Sequence, residues 1–124
     1  MAPKGKKFPK IPVFEMAKIS GCVYSAKITV ASPIKLSKIV RKAILIAREV
    51  GPTYVQIYTL CPTNLKFPPD NTIKVAKKAE KIYYKPEEFI TPEAEEYLNS
   101  LKEKKKFALY LRTVLWIQFK NRRV

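Results

Sequence analysis

Cysteine and histidine are the side chains that most often carry nucleophilic and metal chemistry, and this chain is thin in both. Its thiols are Cys22 and Cys61, no Cys-x-x-Cys pair occurs, and histidine is absent. A Cys/His zinc site, a Ser-His-Asp or Cys-His nucleophile and the commonest general base near neutral pH therefore lack their components. Two cysteines are also too few for a disulfide scaffold. Cys22 and Cys61 are both expected to be small buried side chains, since free cysteine packs like a small hydrophobe. A complete enzyme is not expected from these residues, and no catalytic residue, metal ligand or cofactor is assigned.

The abundant chemistry is cationic. The 124 residues carry 25 Lys and Arg against 10 Asp and Glu, a net charge of +15. Residues 1–10 hold Lys4, Lys6, Lys7 and Lys10 with no acid. Residues 101–124 hold Lys102, Lys104, Lys105, Lys106, Arg112, Lys120, Arg122 and Arg123 against Glu103 alone. The two ends thus carry +11 of the +15, and the body between them is nearly ordinary. Self-repulsion on that scale is a liability unless a polyanion offsets it. Lysine-rich ends bind phosphates largely through counterion release and position a protein without reading sequence. Phe8, Phe107, Trp116 and Phe119 lie among these charges, where aromatic rings can stack on unpaired bases. The continuous apolar run around the last three makes a core position the expectation for these rings.

These groups need a body to position them. Pro3, Pro9 and Pro12 among lysines make residues 1–12 an extended basic arm. Val13 to Ser20 reads as a helix stopped by Gly21, and Cys22 to Val30 as a strand. Ser32-Pro33 supplies an N-cap and a first-turn proline for the best-defined helix. Leu36, Ile39, Val40, Ala43, Ile44, Ala47 and Val50 recur along it at helical spacing as an apolar face. Lys35, Lys38, Arg41, Lys42 and Arg48 fall opposite and make a second candidate basic face for phosphate. Gly51-Pro52 ends the helix. Thr53 to Leu60 then reads as a strand apolar on both faces, as a buried parallel strand is. The strand–helix–strand order is a βαβ unit with a right-handed crossover.

Cys61 to Asp70 is a loop, Asp70 or Asn71 caps a short helix through Ala79, and residues 83–90 read as irregular. Thr91-Pro92-Glu93 starts a helix to about Lys102, with acids in its first turn as the helix dipole favours. Residues 107–119 are apolar all round, and their pattern fits helix and strand equally. The expected fold is a single small α/β domain over residues 13–103 with a parallel βαβ core, between the basic arm 1–12 and a basic, apolar extension 104–124. No run reaches the ~18–20 apolar residues of a membrane span, and Met1 to Lys7 has no signal-peptide pattern, so a cytoplasmic protein is expected. Abundant Lys, Ile and Tyr, with Gln56 and Gln118 the only glutamines, point to a thermophile.

The stretch GPTYVQIYTLCPTNLKFPPDNTIKVAKKA, Gly51 to Ala79, resembles the β subunit of the 2-oxoacid (pyruvate):ferredoxin oxidoreductases, where a strand ends in Cys-Pro before a Phe-Pro-Pro loop and a helix. GKKFPKIPVFEMAKISGCVYSAKITVASP upstream and Glu95-Glu96-Tyr97-Leu98 downstream are similar to that subunit's C-terminal part as well. The resemblance implies that Cys61 matches one of the thiolates that ligate a [4Fe–4S] cluster in the family. It also implies what is missing: the Gly-Asp-Gly segment for thiamine diphosphate and magnesium, and the paired cysteines, have no counterpart. One thiolate of four does not hold such a cluster in a single chain. Asn64-Leu65 also replaces the family's usual Gly-Trp.

Charge, size and two basic ends on a compact body are similar in general design to ribosomal proteins. The expectation is a non-catalytic RNA-binding structural protein that contacts rRNA and neighbouring proteins in a large ribonucleoprotein particle, with no small-molecule substrate. Two alternatives stand beside it. One is the small subunit of a split 2-oxoacid:ferredoxin oxidoreductase whose partner chain supplies thiamine diphosphate and the remaining cluster ligands. The other is a chromatin-type DNA protein, which fits the charge equally well.

Overall fold

The structure, a computed structural model, describes residues 11–121, with the backbone alone at residue 64 and residues 110–121. The basic arm's Lys4, Lys6, Lys7 and Lys10, and Arg122 and Arg123 at the other end, lie outside the described residues.

Pro12 leads into a short helix, α1 (Val13–Ile19), which buries Phe14. Gly21 follows at φ 87°, a left-handed conformation that glycine enters without strain, and the chain turns into β1 (Tyr24–Thr29). Ser32 holds the expected N-cap position with an extended backbone, although its hydroxyl makes no capping bond, and Pro33 starts α2 (Pro33–Glu49). Next come β2 (Thr53–Tyr58) and a single turn, α3 (Pro62–Leu65). A 3-10 turn over Pro69–Asn71 then opens α4 (Thr72–Ile82), where the Thr72 hydroxyl donates to the Pro69 carbonyl at 2.6 Å.

The expected parallel pair is present: β1 and β2 run parallel with Tyr24 opposite Thr53, and α2 connects them. Their roles differ from the expectation. The sheet order is β2-β1-β3, so β1 is the central strand and β2 an edge. No residue of β2 is buried, and Ile57 is 41% exposed. The strand ends at Tyr58, and Leu60 packs instead with Ala31 and Ala76. The third strand, β3 (Glu87–Ile90), falls in the segment expected to be irregular and pairs antiparallel with β1. Glu87 and Glu88 are poor strand formers and only Phe89 and Ile90 favour a strand, a signal too short to stand alone, so pairing with β1 decides it.

Alternation along β1 divides the core. Tyr24, Ala26 and Ile28 face α2 and meet Ile39, Ala43 and Ile46, together with Ala94 from the final helix, α5 (Pro92–Asn121). Along α2 the buried stripe is Leu36, Ile39, Ala43, Ile46 and Val50, alternating three and four residues. Ile44 and Ala47, assigned to that face from sequence, are exposed, while Ile46 is fully buried. At 100° per residue those two lie to one side of the stripe's centre, where α2 leaves the sheet.

Helix α5 does not stop near Lys102. Its first turns carry Ala94, Tyr97 and Leu98 into the core, and its backbone continues as helix to Asn121. Residues 107–119 are therefore helical.

Consecutive glutamates on β3 tie the layers together. In the β3–β1 register, Glu88 lies opposite Ala26 and Glu87 opposite Lys27, so their side chains leave opposite faces of the sheet. Glu88 accepts from Lys42 of α2 at 2.5 Å and from the Tyr24 hydroxyl at 3.0 Å. Glu87 pairs with Lys27 at 2.8 Å and with Lys18 of α1 at 3.2 Å. Lys18 also sits over the Phe14 ring, 4.3 Å from its centroid.

Candidate nucleic-acid interface

Helix α2 places its cations on two flanks, and each flank borders a different concavity. Towards α5, Arg41 and Lys42 line a groove of about 400 Å³ whose opposite wall carries Lys102 and Lys105. Leu45, Ile90, Leu98 and Leu101 give that groove apolar lining, and Glu95 is its one acid. Lys102 donates to Asn99 at 3.2 Å, which fixes its ammonium near the groove. Two clusters read separately in the sequence, the α2 face and the lysine run after Leu101, thus meet in space. They meet because the first turns of α5 are anchored in the core beside α2 through Ala94 and Leu98.

On its other flank α2 presents Lys35, Lys38 and Lys42 to a cavity of about 570 Å³ that also contains Glu80, Glu87 and Glu88. Three cations face three carboxylates there, so this cavity is a poor host for a polyanion. Lys42 borders both concavities, and its pairing with Glu88 weakens its claim on phosphate. The sequence-based grouping of Lys35, Lys38, Arg41, Lys42 and Arg48 as one basic face therefore divides. Arg41 belongs to the cationic groove, Lys35 and Lys38 to the charge-balanced cavity. Arg48 is exposed in the last turn of α2 and lines neither.

Lys104 and Lys106 are exposed on α5 without lining the groove. Phe107, expected in the core, is 63% exposed, because α5 has by then run past the packed body. The side chains of Arg112, Trp116, Phe119 and Lys120 lie outside the described residues, as does Phe8.

The chain matches no protein-family model, no curated protein and no solved structure. Its site is thus defined by its own geometry.

That geometry contains a cationic surface missed in the sequence. Lys74, Lys77, Lys78 and Lys81 are all exposed on α4, on the side opposite the buried Ala76 and Ala79. The i, i+3, i+4, i+7 spacing was the available signal. In the sequence these lysines are masked by their acidic neighbours Asp70, Glu80, Glu87 and Glu88, which leave the segment with an ordinary charge balance. The one acid of α4, Glu80, turns inward and accepts a short hydrogen bond from the Thr29 hydroxyl.

Cys61 corrects another expectation. It is exposed, at the start of α3 just beyond the carboxyl end of β2, while Cys22 is half-buried. Among the described residues no three of His, Cys, Asp and Glu converge as a metal-binding group. Nor is any helix of the described residues long and apolar enough to cross a membrane.

Four tyrosines gather beside edge strand β2. Tyr58 stacks on Tyr84 with ring centroids 4.9 Å apart, and its hydroxyl lies 2.9 Å from that of Tyr83. This hydroxyl pair, with burial, pushes the Tyr58 ionisation up to about 12. Burial and the nearby Tyr54 raise that of Tyr84, whose hydroxyl donates to the Gln56 carbonyl at 3.4 Å and so partly covers the open edge. Tyr24 is raised beyond the ordinary phenol range, first by burial and then by the adjacent Glu88 carboxylate.

Proposed function

We propose that this chain is a non-catalytic RNA-binding protein, structural in role, whose RNA is the rRNA of a large ribonucleoprotein particle. The observation that carries the reading is the groove between α2 and α5, where Arg41, Lys102 and Lys105 stand together with Lys42 against Glu95 alone. Its supports are the net charge of +15 and the placement of most of that charge at the two ends. A phosphodiester strand in the groove would give up counterions to these side chains, while the apolar lining excludes water beneath it. The compact body docks by shape, and the basic ends neutralise phosphates that a small body cannot reach. No base-reading contact is required.

A second reading is favoured by one observation. Cys61 is exposed at the carboxyl end of a parallel strand, where the resemblance to the 2-oxoacid:ferredoxin oxidoreductase β subunit would place a cluster ligand. In that reading a partner chain supplies the other thiolates and the thiamine diphosphate site. Sedimentation of native lysate across a salt series separates the two. RNA binding predicts comigration with ribonucleoprotein particles at moderate salt and release by ribonuclease. Release by deoxyribonuclease instead would assign DNA. Recovery in a brown, iron-bearing complex that contains thiamine diphosphate would establish the second reading.

A further inference from the structure

We propose that the protein bridges two nucleic-acid strands, one held in the α2–α5 groove and the other along the outer face of α4. The proposal rests on the RNA-binding reading above and adds the arrangement of its contacts. Lys74, Lys77, Lys78 and Lys81 fall within an arc of about 100° on α4 and span roughly 10 Å along its axis. Among the described residues none of the four is ion-paired, and the only acid of the helix is turned away to Thr29. Four ammonium groups without counter-charge on one short helix repel each other, and a phosphate strand relieves that repulsion.

The two cationic surfaces lie off different flanks of α2. Helices α2 and α5 cover the sheet face that bears Tyr24, Ala26 and Ile28. Helix α4 lies past the other flank of α2, where its Glu80 lines the cavity with Lys35 and Lys38, and it is tied to the strand ends through Thr29, Ala31 and Leu60. Glu80, Glu87 and Glu88 line that cavity together with the α2 lysines. A single strand following both surfaces would have to cross this charge-balanced cavity, where carboxylates within the Debye length of about 8 Å oppose its phosphates and leave it no net attraction. Each surface therefore takes its own strand.

The test uses the full chain, one RNA immobilised on beads and a second, non-complementary fluorescent RNA. At about 0.15 M salt the wild-type protein should retain the fluorescent RNA on the beads. The variant K74Q/K77Q/K78Q/K81Q, shown to be folded by circular dichroism, should bind the immobilised RNA within about threefold of wild type and lose at least about tenfold of the fluorescent capture. Capture unchanged in that variant would assign bridging to the ends or to self-association and overturn the proposal. So would wild-type protein that binds the immobilised RNA and captures no second strand. Absence of binding to any RNA would instead remove the RNA-binding reading on which the proposal stands.

Discussion

Glu87 and Glu88 act on opposite faces of one strand, each paired with its own lysines. Hydrogen bonds from Lys27 and then Lys18 hold the Glu87 carboxyl below its ordinary value of 4.5. A carboxylate depressed in the folded state stabilises fully above its unfolded pKa and loses that contribution as pH falls through the folded one. Stability should therefore fall below about pH 4.5, and E87Q should flatten that acid limb in urea melts taken between about pH 6 and pH 3. An acid limb unchanged by E87Q would contradict this role for the pair. Ile46 offers a second test at this scale. Its side chain is fully buried, so I46A should cost about 2–5 kcal/mol, whereas I44A, on an exposed neighbour, should stay within about 1 kcal/mol in the same melts.

Among the elements, α2 and α5 define the cationic groove. R41Q/K102Q/K105Q should weaken RNA binding and reduce the slope of log affinity against log salt by about 2–3, roughly one per lost phosphate contact. Lys42 is left in place there because it also secures Glu88. At this scale the sequence was legible where local signals and packing agree. Ser32-Pro33, Gly21, Gly51-Pro52 and the α2 periodicity fixed the βαβ unit. It was illegible where tertiary contact decides. β3 is a strand because β1 offers it a partner, and Thr53 to Tyr58 is apolar enough for a centre yet lies at the edge, since sheet order is not a local property. The groove was half legible: its cations were named as two groups, but only the continuation of α5 alongside α2 brings Arg41 to Lys102 and Lys105. Cys61 was misplaced because the end of an edge strand is wet.

For the whole molecule the governing quantity is charge. A body of modest net charge carries cationic ends, a groove off one flank of α2 and a lysine face past the other, and a phosphate polymer offsets that excess more fully than small counterions do. Lysines beyond the groove share the load, so K102Q/K104Q/K105Q/K106Q should lower affinity and salt dependence further than K102Q/K105Q alone. The central claim is that the protein grips phosphate, and the most direct measurement is titration of a fluorescent single-stranded RNA with the full chain from about 0.05 to 0.3 M salt. Log affinity should fall linearly with log salt, with a slope of magnitude about 4 or more. No binding at the lowest salt, or binding indifferent to salt, would contradict the account.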